Sequence, residues 1–170
     1  MSKRDKIIGA FVLLITGLLA YVWLSPSGSD HLSGLKLKTA NGQTIILGPK
    51  QGHPVLINFW ATTCTTCLKE MPHLIKLYQE LQPKGLEIVG VSMSYDPPSQ
   101  VMAMVKRKNI PYPIVFDLDK KIMHAFGMQR ALTPMTILID NQGKIVLRKL
   151  GMPDMTALKQ RILQLLKSKS

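Results

Sequence analysis

Cysteine is scarce in this chain: its 170 residues include two, Cys64 and Cys67. A structural zinc takes four ligands, and the rest would have to come from His31, His53, His73 and His124, none of them spaced as a second ligand pair. Neither a metal nor any other cofactor is therefore expected. Acidic residues are also few, 10 Asp plus Glu against 22 Lys plus Arg, for a formal net charge of +12. Apart from Lys106-Arg107-Lys108 the basic residues are scattered, and no interleaving of aromatic with basic side chains marks a nucleic-acid surface. The excess reads as a solvated face that also favours an anionic membrane. Internal repeats and low-complexity runs are missing too, which leaves one domain of ordinary size.

Charge is absent altogether from Ile7 to Leu24, eighteen residues that reach about 27 Å as a helix and nearly match a bilayer's hydrocarbon core. Lys3, Arg4 and Lys6 precede this run and no basic residue follows before Lys36, so the positive-inside bias places the rest of the chain outside the cytoplasm. Tyr21 and Trp23 suit its outer interface. No stretch of small residues follows as a signal-peptidase site, which favours an anchor over a cleaved signal. The organisation expected is a cytoplasmic basic tail at 1–6, a transmembrane anchor at 7–24, a Pro/Gly/Ser linker at 25–34 and a soluble domain at 35–170.

In that domain, alternating residues on either side of Asn41-Gly42 predict a β-hairpin with a tight turn. Pro54 to Trp60 is a short apolar run without helical period, a strand buried on both faces. From Thr65 to Leu81 the period changes: Leu68, Met71, Leu74, Ile75, Tyr78 and Leu81 form one face of a helix, which Pro72 should kink. Further strands are predicted at "LEIVGVSM", "YPIVFD", "MTILID" and "IVLRKL", with helices near 99–108 and after Asp154 as N-cap. Alternating strands and helices followed by a strand pair imply a mixed sheet, parallel first and antiparallel at its end.

Cys64-Thr65-Thr66-Cys67 falls where a strand gives way to a helix. A helix N-terminus carries free N–H groups and about half a positive charge, which stabilise a thiolate and lower a cysteine's pKa from about 8.5. Cys64, at the tip, should be the exposed nucleophile, and Cys67, one turn in, the resolving thiol. A purely structural disulfide here would close too small a loop to contribute much.

"INFWATTCTTC" resembles the thioredoxin active-site segment, and "CLKEMPHL" is similar to the membrane-anchored, extracytoplasmic TlpA-like or ResA-like reductases. The resemblance runs from Leu35 to about Lys167 and implies a thioredoxin-like α/β fold, a mixed central sheet flanked by helices, with an N-terminal β-hairpin and a helix-strand insertion at 94–117. Peroxiredoxins share that insertion. It further implies a cis peptide at Thr133-Pro134 beside the cysteines, and a matching role for Glu87 as the acid near the buried Cys67. Asn58 stands where thioredoxin has a buried aspartate, so Glu87 would have to supply any general acid-base. Trp60 is expected to pack beneath the active-site loop, and Glu70 and His73 read as helix-surface groups. Thr63, Thr65 and Thr66 depart from the thioredoxin pattern and leave the direction of electron flow open.

The implied activity is a thiol:disulfide reductase working on exported proteins, the haem-binding cysteines of apocytochrome c among them, re-reduced by a membrane electron donor and acting as a monomer. Alternatives on the same fold are a disulfide oxidant or isomerase, a thiol peroxidase, and a copper-delivery module.

Overall fold

The computed structural model describes residues 15, 16, 32, 34–48 and 51–168. Apart from residues 15, 16, 32 and 34, the expected tail, anchor and linker lie outside the described residues, and among the described residues no helix is long and apolar enough to cross a membrane.

β1 (Leu35–Lys38) and β2 (Thr44–Leu47) form the opening antiparallel hairpin, Lys38 opposite Thr44. Its turn is wider than Asn41-Gly42 predicts. Gly42 alone of the two takes a positive φ, +88°, and the Thr39 N–H reaches the Gln43 carbonyl at 2.9 Å. The Thr39 hydroxyl and the Asn41 amide oxygen are hydrogen-bonded across the turn, and such side-chain bonding lets a longer loop compete with the two-residue one.

β3 (Val55–Trp60) is buried at every position and occupies the centre of a five-stranded sheet. β4 (Glu87–Ser92) lies parallel to it, and β5 (Ile114–Phe116) parallel to β4. On the other flank β6 (Met135–Ile139) runs antiparallel to β3, and β7 (Ile145–Leu150) antiparallel to β6 at the edge. This is the mixed sheet the element order predicts. Exposed Arg148 and Lys149 on β7 discourage pairing with another chain at that edge.

A strand's side chains alternate between faces, so β3 divides its apolar residues between two cores. Val55, Ile57 and Phe59 face the hairpin residues Leu37 and Leu47 and the short helix α3 (Lys121–Ala125). Phe59 meets Phe126 edge-on, with ring centroids 5.5 Å apart. Leu56 and Trp60 face the other way, into a core closed by α1 (Thr65–Leu81), α2 (Pro98–Lys108) and α4 (Met155–Lys167). Pro72 lies inside α1, and Asp154 caps α4 by accepting from the N–H groups of Thr156 and Ala157 at 2.8 and 3.0 Å. α3 has no apolar period to announce it. It starts because buried Asp117 accepts the N–H groups of Ile122 and Met123, both at 2.9 Å.

Gly90 on β4 shows how tightly the second core is filled. A Cβ there would lie 2.9 Å from Ile114 Cδ1, 3.1 Å from Trp60 Nε1 and 3.2 Å from Tyr112 Cε2. Gly90→Ala is expected to destabilise the domain by about 1–3 kcal/mol through overpacking, read as a lowered Tm. An unchanged Tm would mean that Trp60 and Tyr112 are free to move aside.

Candidate active site

The chain leaves β3 at Trp60, turns through Ala61, Thr62 and Thr63, and enters α1 with Cys64 as its N-cap. Cys64 and Cys67 are joined in a disulfide, with an S–S distance of 2.13 Å and Cα atoms 5.2 Å apart. The two sulfurs are not equivalent. Cys64 is half-buried at the helix tip, whereas Cys67 is 3% exposed and packs in the core with Trp60 and Met71. The Cys67 N–H donates to Cys64 Sγ at 3.1 Å, and no acidic residue occupies the first turn of α1. On reduction the same N–H and the helix terminus would face a thiolate at Cys64, which they stabilise.

Cis-Thr133-Pro134 precedes β6 directly. Since Met135 pairs with Phe59, Pro134 lies beside the point where β3 gives way to the cysteine loop. Gly151 N–H donates to the Pro134 carbonyl at 2.8 Å and ties β7 to the same place. Exposed Leu132, Leu150 and Met152 follow this rim, while exposed Tyr95 stands in the loop after β4.

Glu87, expected near Cys67, is not there. It pairs with Val55 at the start of β3, whereas the cysteines follow the far end of that strand. In parallel strands the first residues gather at one end of the sheet and the helix N-termini at the other, so an acid opening β4 is directed away from the cysteines. Glu87 instead meets His53, Oε2 to Nε2 at 3.0 Å, where both are partly exposed.

The buried acid of the site is Glu70, a residue that reads in the sequence as a helix-surface charge. It is 1% exposed and lies three residues after Cys67, on the same face of α1. Its Oε1 accepts from the Thr136 hydroxyl at 3.0 Å and more weakly from Asn58 Nδ2 at 3.4 Å. Asn58 Nδ2 also donates to Thr136 Oγ1 at 3.2 Å, across the β3–β6 pair that these two residues form. Glu70 Oε2 is buried without a partner. Burial raises the carboxyl above its ordinary range, only partly opposed by the bonds from Thr136 and Asn58. Tyr112 is likewise pushed well above the usual phenol range, by burial and then by the Glu70 charge. The polar cluster beneath the cysteines is thus made of Asn58 on β3, Thr136 on β6 and Glu70 on α1.

One signal in the sequence could have revealed Glu70. The buried positions of α1 are Cys67, Glu70, Met71, Leu74, Leu77 and Leu81, a stripe at helical spacing in which Glu70 takes its turn. Trp60 is buried, as expected, with its indole N–H unpartnered.

A family model described as Redoxin matches residues 25–162. The thiol-disulfide oxidoreductase ResA of Halalkalibacterium halodurans is 38% identical over 110 residues, 65% of this chain and 61% of the relative. ResA of Bacillus subtilis is 33% identical over 119 residues, 70% of this chain and 64% of the relative. The chain therefore spans somewhat less than two thirds of the length of these curated relatives. Among solved structures, a protein of Neisseria meningitidis described as a candidate thioredoxin aligns with a TM-score of 0.75 at 31% identity, over 82% of this chain and 92% of that one. With its thioredoxin-like sheet and Cys-x-x-Cys disulfide, and with relatives that bear the ResA name, the chain belongs to the Redoxin family.

Proposed function

We propose that this protein is a thiol:disulfide oxidoreductase that donates electrons to disulfides of exported polypeptides. The observation that carries this reading is the asymmetric cysteine pair: a half-buried Cys64 at a helix tip, bonded to a fully buried Cys67 that lies one turn from a buried acid.

In the reduced protein the Cys64 thiolate attacks a substrate sulfur, forming a Cys64-substrate disulfide and releasing one substrate thiolate, which takes up a proton. Cys67 then attacks Cys64 Sγ and expels the second substrate thiolate. Two electrons leave the dithiol, and the Cys64–Cys67 disulfide is the product. Before its attack Cys67 must lose a proton, and Glu70 is placed to accept it. A carboxylate whose pKa is raised by burial is a stronger base than an exposed one. Oε1 is held by Thr136 and Asn58, so Oε2 is the atom that carries the proton.

The uncharged run from Ile7 to Leu24 and the basic residues before it support a single membrane anchor with the catalytic domain on the extracytoplasmic side of a bacterial cytoplasmic membrane. A membrane dithiol donor would then return the pair to its reduced form. The apolar rim of Leu132, Leu150 and Met152, with exposed Tyr95 in the loop after β4, supports a polypeptide substrate, and apocytochrome c, with its paired haem-binding cysteines, fits that class.

Replacing Cys67 by alanine tests the mechanism. The first attack needs only Cys64, so C67A is expected to accumulate as a mixed disulfide with its substrate in cells, seen on non-reducing gels and released by dithiothreitol. No trapped species under conditions where the wild type reduces disulfides would refute the two-step route.

A further inference from the structure

β4 leaves the sheet at Ser92, and the residues that follow pass over the turn leading into Cys64. Met93 N–H donates to the Trp60 carbonyl at 3.2 Å, and Asp96 N–H to the Met93 carbonyl at 3.0 Å. Asp96 is 2% exposed, and both of its carboxylate oxygens accept from one residue. Thr62 N–H donates to Oδ2 at 2.6 Å and the Thr62 hydroxyl to Oδ1 at 2.5 Å. These are the short, charge-assisted bonds that fix geometry most firmly. Pro97, the N-cap of α2, and Pro98, its first residue, follow immediately and restrict the backbone behind the carboxylate.

A buried carboxylate is costly unless its oxygens are satisfied, and Asp96 satisfies both on the residue two positions before the nucleophile. The "YDPPS" segment, which opens the helix-strand insertion, is otherwise unexplained by the cysteine chemistry. Its effect on the site has two parts. Clamping Thr62 holds the turn from which Cys64 emerges, and a buried negative charge near that turn disfavours a thiolate at Cys64. Both favour the closed disulfide over the dithiol.

We propose that Asp96 is a positioning residue that acts through Thr62 to set the dithiol–disulfide equilibrium of Cys64 and Cys67, making the pair a stronger reductant. This rests on the oxidoreductase reading of the same two cysteines. The test is thiol–disulfide equilibration of the full chain in a dithiothreitol redox buffer, comparing wild type with Asp96→Ala, Asp96→Asn, Thr62→Val and Thr62→Ser.

Asparagine can retain both contacts, its amide oxygen accepting one and its NH2 donating the other, and removes only the charge. Valine removes the hydroxyl bond and keeps the charge, and serine keeps both. The two Asp96 variants are expected to move the equilibrium toward the dithiol by about tenfold, about 30 mV for a two-electron couple, with Thr62→Val moving the same way by less and Thr62→Ser staying within about twofold of wild type. Should Asp96→Ala fail to fold, the asparagine variant and the Thr62 pair still decide the matter. The inference is overturned if Asp96→Asn and Thr62→Val both stay within about twofold of wild type. Because the equilibrium is read on the protein's own cysteines, a wild type that reduces no substrate disulfide would defeat the oxidoreductase reading and leave the Asp96 comparison readable.

Discussion

Cys64→Ser is expected to abolish disulfide reduction, leaving only the rate of uncatalysed exchange. A serine hydroxyl forms no disulfide, so the first bond of the electron-transfer sequence cannot be made, and Cys67 cannot take over because it is 3% exposed beneath the helix tip. The loss should not reflect unfolding. Cys64 is half-buried, and as an N-cap serine supplies an oxygen that accepts the Cys67 N–H in place of sulfur. Turnover of a model disulfide, measured beside a thermal melt, separates the two effects: activity vanishes while Tm stays close to that of wild type in its reduced form. Substantial residual turnover in C64S would assign the nucleophile to Cys67 and reverse the roles of the two cysteines.

The second large effect is expected from Glu70→Gln. The glutamine side chain can still accept from Thr136 and Asn58, so the polar contacts between α1, β3 and β6 survive, but the group can no longer take a proton. Loss of a positioned general acid-base costs typically about 10²- to 10⁴-fold, and the loss should fall on the step in which Cys67 resolves the mixed disulfide. Single-turnover exchange followed across the acid-to-neutral range should show the limb belonging to Glu70 in the wild type and none in the variant. A full rate with an unchanged pH profile in E70Q would remove Glu70 from the mechanism.

The same substitution carries a stability signature of opposite sign. Burial raises the carboxyl's pKa in the folded state above its unfolded value of 4.5. Between those two values the folded chain holds a proton that the unfolded chain has released, so wild-type stability falls as pH rises through this window and stays lower above it. Glutamine does not titrate. E70Q should therefore match the wild type at low pH and become relatively more stable toward neutral pH, so that a residue needed for catalysis costs the fold stability while it is present.

How far the sequence can be read follows from what each element depends on. α1 is legible to its ends, Thr65–Leu81, because its apolar period and the strand before it are local patterns. β3 is legible because an apolar run without helical period fits a strand covered on both faces. Glu70 reads wrongly as a surface group because a charged side chain on a helix is ordinarily solvated; its place in the stripe with Cys67, Met71 and Leu74 points inward, and the packing of α1 over Asn58 and Thr136 gives the carboxylate its partners. Glu87 is misplaced although its strand is evident from the sequence: it opens β4, and the first residues of parallel strands lie at the end of the sheet away from the helix N-termini. Asp96 and Asp117 act through backbone N–H groups, 34 residues away in sequence for the Thr62–Asp96 pair, and leave no periodic trace.

The reduction potential of the Cys64–Cys67 pair tests the central claim most directly. Equilibration of the chain with a dithiothreitol or glutathione buffer places it between two references, thioredoxin at about −270 mV and the oxidant DsbA at about −120 mV. A reductase whose closed disulfide is favoured over its dithiol should lie below about −220 mV, on the thioredoxin side. A value near −120 mV would mean that the dithiol is the stable form, that electrons flow from exported chains into this protein, and that it is not a reductase.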